Sequence, residues 1–555
     1  MEKELLNRKE LNSFDKEVLI QMLLSTAQQL EHAMQRMNDM SKQLEETNCT
    51  IHQLTEQLAI ANQRLYGRKS EKNLVTAADD GEQLNFFSEI FNEIEVHADL
   101  GPVDEPEIET AVKGYTRKKS KGKREKDLSG LPVRIEEHTL SDDQLSELFP
   151  DGYRYLPDEI YKKLEFHPAT FEVVEHHIKV YKGKKNGSIV RANHPDEMID
   201  HSIATPSLAA AIINAKYTNS MPLYRQEQEF LRQDVTISRQ VMANWVITVT
   251  KRYFQLLYDR MKQELLKSHV IHADETPVNV TRDGREGIHD SWMWVYRTGT
   301  MCDTDPIIIY EYQKTRQKEH PANFLKGFSG VLVSDGLQGY ESIQKESGNR
   351  FKLQSCWVHA RRGFADFIKS IGKANAKGTT AYKAAALIQA IYKEDNKLAE
   401  LSPDERLEKR QSRVRPLVEA FFAWAKEESS KGLPKGKTDR ALSYCLNREE
   451  HLKTFLTDGT VPLDNNMAEV AIRGFVIGRN NWKLIDTVSG AKSSAVLYSI
   501  VETAKANNLK IYEYLKYILT ESPKHYREAI NGNFGYIEDM LPWSENLPDE
   551  CRKKK

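Results

Sequence analysis

Val270-Ile271-His272-Ala273-Asp274 and Gly330-Val331-Leu332-Val333-Ser334-Asp335 decide how this chain is read. Each is a short apolar run, the length of a buried strand, that ends in aspartate. A carboxylate at the tip of a buried strand is costly unless it meets positive charge. Two such tips, joined by a helix-borne glutamate, could together hold hard cations.

Working outward, His269–Asp274, Trp292–Thr298 and Pro306–Tyr312 read as three consecutive strands. A short helix over Pro321–Phe328, a strand over Val331–Asp335 and another over Phe351–Trp357 follow. That order is the one of a ribonuclease-H-like α/β domain. Residues from about 360 to 455 read as helices (Ala384–Tyr392, Val414–Trp424) and interrupt the domain. A further helix opens at Pro462-Leu463-Asp464-Asn465-Asn466-Met467-Ala468-Glu469, placing Asn465, Asn466, Glu469 and Arg473 on one face. Asp274, Asp335 and Glu469 could then converge from three elements. Three convergent carboxylates suit a pair of hard cations, Mg2+ or Mn2+, which drive in-line phosphoryl transfer. The chain has 81 acidic residues, so a bland reading of each acid as a cap or loop residue also exists.

Toward the N-terminus, Pro222–Leu231 and Ser238–Trp245 read as two helices joined by a turn at Asp234–Ile237, with Ser238 as N-cap. This pattern fits a helix-turn-helix in which Arg239 and Gln240 face DNA, or a plain structural hairpin. Residues 127–200 read as a small β-rich module. Its expected strand is Phe171–Tyr181, and Leu164, Phe166, Phe171 and Val173 are its expected apolar support. His138, His167, His176, His177 and His194 lie there without any cysteine, so no zinc is expected. Residues 77–112 hold eleven acidic and no basic residues, and residues 113–126 hold eight Lys/Arg against one Glu. Such blocks read as a linker, with Lys118 and Lys119 available to phosphates. Leu23, Leu30, Met37, Leu44, Ile51, Leu58 and Leu65 recur every seven residues, the mark of a coiled coil or of a long helix packing on its own domain. The helix should stop near Gly67.

The bulk numbers agree with a multidomain α+β protein. The chain has 555 residues, 39% hydrophobic and 29% charged, with a net charge of -2. Nucleic-acid binding would therefore use local patches. The five cysteines are scattered, no membrane span is apparent, and Met-Glu-Lys-Glu-Leu-Leu has no apolar signal core. A cytoplasmic protein is expected. Cys356-Trp357-Val358-His359-Ala360-Arg361-Arg362 contains half of a zinc site but shows no other half. His359, Arg361 and Arg362 are instead expected to face DNA, as is Arg473.

With these pieces in view, the chain resembles the IS66-type insertion-sequence transposases. The matching motifs are His272-Ala273-Asp274-Glu275-Thr276-Pro277, Ser334-Asp335-Gly336, Cys356–Arg362, Asp464–Arg473 and Gly478-Arg479-Asn480-Asn481-Trp482. Gly490, Ala495–Lys505, Leu541-Pro542-Trp543 and the heptad helix ending in Tyr66-Gly67-Arg68-Lys69-Ser70-Glu71 add to them. The resemblance implies a DDE transposase that binds terminal inverted repeats and performs metal-dependent cleavage and strand transfer. Asp274, Asp335 and Glu469 would be its Mg2+ ligands. It also implies double-stranded DNA partners (transposon ends and target), small accessory proteins from the same element, and a bacterial, nucleoid-associated location when DNA is bound. The cysteine-based zinc module usual in the family is absent from residues 127–200. The expected layout is a leucine-zipper-like coiled coil at 15–72 that assembles homo-oligomers, a linker at 73–126, and the β-rich module at 127–200. A helix-turn-helix at 201–265, the catalytic domain with its insertion at 266–485 and a helical tail at 486–555 follow. The competing readings are a silent DNA-binding relic, a regulator of transposition, and a ribonuclease-H-like nuclease without strand transfer.

Overall fold

The computed structural model describes residues 15–66, 170–177, 179–182, 189–191, 197–286, 289–301, 304–431, 436–525, 528–529 and 532–554. These form two units, one of α1 with residues 197–553 and another around residues 170–191. Helix α1, Lys16–Tyr66, holds 51 residues, about 75 Å at 1.5 Å per residue; the stop expected near Gly67 lies outside the described residues. Every described side chain between Lys16 and Gln43 is exposed, including Leu23, Leu30 and Met37 of the heptad stripe.

In the second unit, strands β1 (Val180–Lys182) and β2 (Ile189–Arg191) pair antiparallel. The strand expected over Phe171–Tyr181 is shorter than read: residues 171–177 form no ladder. Val173 is 91% exposed, so it supports no core. Partial alternation alone does not make a strand without a partner to take its hydrogen bonds. Lys118, Lys119 and most of the 127–200 module, Leu164 and Phe166 included, lie outside the described residues.

The larger unit opens with helices α2 (Pro206–Tyr217), α3 (Leu223–Leu231) and α4 (Arg239–Val249), which runs through a π-turn into α5 (Gln255–Leu265). The Ser238 hydroxyl accepts the Val241 N–H at 3.3 Å and caps α4 as expected. These helices share one hydrophobic core with the sheet through Trp245, Phe254 and Met261, so the 201–265 region packs as part of the same body as the sheet.

The sheet runs β3 (Val270–Arg282), β4 (Asp290–Thr298), β5 (Ile308–Gln313), β6 (Gly330–Ser334), β7 (Phe351–Ser355) and β8 (Leu484–Thr487). Its spatial order is β5-β4-β3-β6-β7, with β8 also on β3. The β5-β4-β3 portion is antiparallel, while β6, β7 and β8 join in parallel. The parallel strands need crossovers, supplied by α6 (Glu319–Phe324) and α7 (Gln338–Glu346). The sequence reading ran strand β7 on to Trp357, but Cys356 already caps a helix there. It also missed β8, whose four residues are too few to show a period.

Side chains alternate across the two faces of the sheet. Val270, Val331 and Val333 pack into one cluster, with Trp357, Phe364 and Phe421. That layer is the insertion: α8 (Trp357–Ile371), α9 (Thr380–Asn396), α10 (Pro403–Lys409), α11 (Arg415–Ser430) and α12 (Lys437–Asn447). Ile271, Ala273 and Leu332 face the other cluster. The chain then forms α13 (Asn466–Trp482), α14 (Val488–Ala506) and α15 (Ile511–Glu521). The buried Arg410 fastens the insertion to the chain before α13. It pairs with Asp395 at 2.7 Å and donates to the carbonyls of Phe455, Asp458 and Val461. No described helix is long and apolar enough to cross a membrane.

Candidate active site

Strand β3 is the longest of the sheet, and its length creates the site. One edge pairs with β4 from Ile271 to Asn279. The other edge pairs with β6 only over Val270–His272 and with β8 only over Asn279–Arg282. Between them that edge has no strand partner, and Asp274 lies in the gap. The sequence reading placed Asp274 at a strand tip. It sits mid-strand instead, because β4 and β8 carry β3 onward, yet it is where the β6 pairing ends. Asp335 follows β6 directly, and the register His272↔Val333 continues to set Asp335 beside Asp274. Neighbouring strands lie about 4.8 Å apart.

Helix α13 bridges the gap. Asn465, fully buried, precedes it: its amide donates to the Ala273 carbonyl at 2.8 Å, and its carbonyl oxygen meets His272 Nδ1 at 3.0 Å. Since the amide oxygen can only accept, His272 carries its proton on Nδ1, and burial depresses its pKa to about 4. At the far end Arg479 donates to Thr276 Oγ1 at 2.9 Å and to the Pro277 carbonyl. Gly478 lets the helix come close: a Cβ there would stand 2.2 Å from the Tyr498 hydroxyl. So held, α13 carries Glu469 over the gap one turn after Asn465. Asn465 itself is buried and points into the protein.

The insertion grips the Asp335 turn. Tyr444 donates to the Asp335 carbonyl at 2.8 Å, Arg448 donates to the Gly336 carbonyl, and the Asp335 carboxylate accepts the Leu337 N–H at 3.1 Å. Gly336 adopts φ 92, and a Cβ there would meet Arg448 at 2.5 Å; both facts demand glycine.

The acids sense one another. Burial raises the Asp274 carboxyl to about 8, with Glu275, Asp335 and Glu469 adding to the rise. Burial also raises Glu469; Asp464 and Asp335 push it further up, while Arg362 and Arg473 oppose them. Oε1 of Glu469 is buried without a hydrogen bond. Asp274, Asp335 and Glu469 thus lie near enough to influence one another electrostatically, although among the described residues they do not form a group with ligand atoms all within 4.8 Å of one another. Of the cationic residues expected near them, Arg362 is exposed, and Arg361 and Arg473 are half-buried. His359 is half-buried and turns Nδ1 toward Glu469, at 3.7 Å. Arg239 and Gln240 are exposed at the start of α4, remote in sequence from the acids, with the Arg239 guanidinium over the Tyr224 ring.

Two members were missed by the sequence reading. Glu275 follows Asp274 on the strand and so occupies the opposite face. Its carboxylate is buried, receives the Arg316 Nε–H at 2.9 Å, and is still raised to about 7 by burial and Asp335. Arg316 in turn stacks over Trp292. The only signal was Glu275 itself, a second acid in an apolar strand; Arg316 carries no signal in sequence because its loop becomes a partner only through β4 and β5.

Comparison with known proteins gives the family. The profile described as Transposase IS66 family matches residues 201–493, which span α2 to the start of α14. Another, described as Transposase C of IS166 homeodomain, matches residues 53–135. The chain is 29% identical over 395 residues to the uncharacterized protein y4qI of Sinorhizobium fredii, covering 69% of this chain and 70% of that one. It is 26% identical to y4hP of the same organism, covering 70% and 71% respectively, and 26% identical to y4jD, covering 65% and 70%. With more than half of its length, helices and sheet together, matched by one family, the chain belongs to the IS66 transposase family.

Proposed function

We propose that the chain is an insertion-sequence DNA transposase that binds terminal inverted repeats, cleaves DNA at the element ends and joins them to target DNA. The observation that carries this reading is the grouping of Asp274, Asp335 and Glu469 at the break in the β3 edge of the mixed sheet. These are the residues that would hold Mg2+ or Mn2+. The fit rests on their chemistry: oxygen donors from three elements, one carboxyl raised by burial and by its neighbours, and a buried carboxylate oxygen without a hydrogen bond. The bound cations would supply charge neutralisation and alignment of the attacking and leaving oxygens.

The protein's own groups do the rest. Asn465 and Arg479 hold α13, and therefore Glu469, against β3. Tyr444 and Arg448 fix the Asp335 turn. Arg362 and Arg473, both close enough to act on Glu469, would receive DNA phosphates. Arg239 and Gln240 would read end sequence from the N-terminus of α4, and the heptad stripe of α1, exposed at Leu23, Leu30 and Met37, would pair subunits.

The test uses the purified full chain and labelled duplexes carrying the element's terminal sequence. Mg2+-dependent nicking followed by joining to a target duplex supports the reading. Binding without nicking would instead indicate a regulator or relic, and nicking without joining a nuclease.

A further inference from the structure

Beside the acids lies a second set of ligand atoms. One atom each from Cys356, His359 and Glu469 lie within 4.8 Å of one another. Two of them are stranded: His359 Nδ1 and Glu469 Oε1 are buried and make no hydrogen bond, and at 3.7 Å they are too far apart to satisfy each other. The sulfur is the contrary case. It accepts the Asn465 N–H at 3.3 Å, and the His359 N–H as well. Burial pushes this thiol up to about 12 and the two backbone donors only partly offset that, so a bound cation is what would bring the sulfur to its thiolate form.

Two elements build this constellation. Cys356 caps α8 and His359 follows three residues later, so both face the same way. Glu469 arrives from α13, held by Asn465. A thiol, an imidazole and a carboxylate are a poor set for Mg2+, which takes oxygen, and a good one for zinc. Three protein ligands with a position left open is also the pattern of zinc sites that keep a water.

We propose that Cys356, His359 and Glu469 form a binding site for one zinc-class divalent cation, adjacent to the three-acid cluster and sharing Glu469 with it. Zinc held there competes for Glu469 and so restrains the hard-metal chemistry. That consequence rests on the proposed transposase reading; the site itself does not.

The experiment titrates Co2+ and Zn2+ into metal-free full-length protein. One equivalent of Co2+ should give a thiolate-to-cobalt charge-transfer band, and X-ray absorption of the zinc form should show one sulfur neighbour. Cys356→Ser keeps an acceptor for both N–H groups and should abolish the sulfur signal. His359→Gln retains the thiol and should weaken zinc binding at least about tenfold. A zinc complex without sulfur, or a sulfur signal undiminished in Cys356→Ser, overturns the site. If Cys356→Ser does not fold, His359→Gln decides alone, and unchanged affinity there also overturns it. Zinc binding with the expected sulfur in a protein that never cleaves DNA would sustain the site while sinking the transposase reading.

Discussion

Two helices lie against the sheet, and they treat its polar groups in opposite ways. Along β5, an edge strand, α14 replaces the missing neighbour. The Ser499 hydroxyl accepts the Tyr310 N–H at 2.7 Å, and Thr503 both accepts from Ile308 N–H at 2.9 Å and donates to its carbonyl at 3.0 Å. An edge that could pair with another chain is closed. Along β3, α13 likewise covers an interrupted edge and closes part of it through Asn465 and Arg479. There, however, the middle is acidic and short of hydrogen bonds: Asp274 is buried among other acids, and Glu469 Oε1 and His359 Nδ1, 3.7 Å apart, make none. Buried polar groups are normally paired. Where α14 satisfies the backbone of β5 while α13 leaves side-chain atoms without hydrogen bonds among acids, the unsatisfied atoms point to a ligand.

Breaking the charged side of the comparison should have the largest effect. Asp274→Asn keeps shape and removes charge, so Mg2+-dependent cleavage should fall by about a thousandfold or more, the equivalent of several kcal/mol of metal assistance. Binding to end DNA should survive; its loss would make Asp274 structural. The same variant tests the pH dependence. Asp274 is raised from 3.8 to about 8 in the fold, so the folded state holds the proton more tightly than the unfolded one. Its stabilising contribution is full below pH 4 and is lost as pH rises toward 8. Metal-free protein should therefore lose a few kcal/mol, roughly, between those limits. Asp274→Asn should flatten that slope, and Mg2+ should raise the melting temperature of the parent alone at pH 8. An unchanged slope in the variant would remove Asp274 from the account.

Arg410 sharpens the contrast from the satisfied side. Arg410→Ala leaves Asp395 and three carbonyls without their donor, and should cost about 3–5 kcal/mol in denaturant unfolding. Thr503→Val should cost about 1–3 kcal/mol by stranding the Ile308 N–H, with no effect on the Mg2+ shift in melting temperature. If Thr503→Val abolished that shift, the division between the two helices would be false. The smallest effect on the fold belongs to α1. Leu30 and Met37 are 64% and 66% exposed, so Leu30→Lys with Met37→Lys should change unfolding by less than about 0.5 kcal/mol. Sedimentation should nevertheless show a smaller assembly than the parent, and equal masses would mean that the stripe joins nothing.

Much of this was legible in the chain. The apolar runs ending at Asp274 and Asp335 gave two central strands, and Ser238 gave the start of α4. The long segment between Asp335 and Glu469 announced an inserted helical layer. Those features are local: a period, a cap or a breaker is written in residues a few positions apart. What lay beyond reach depended on distant partners. No period in four residues foretells β8, which exists because β3 runs past β6 and offers it an edge. Glu275 looked like one more acid until Arg316 came to it across the sheet. Cys356 and His359 looked like half of a metal site because their third member lies on another helix. Sequence alone determined which segments are strands and helices and which acids are costly to bury. Only the tertiary structure decided which of those acids meet, because strand register and the seating of α13 bring together residues that the chain keeps far apart.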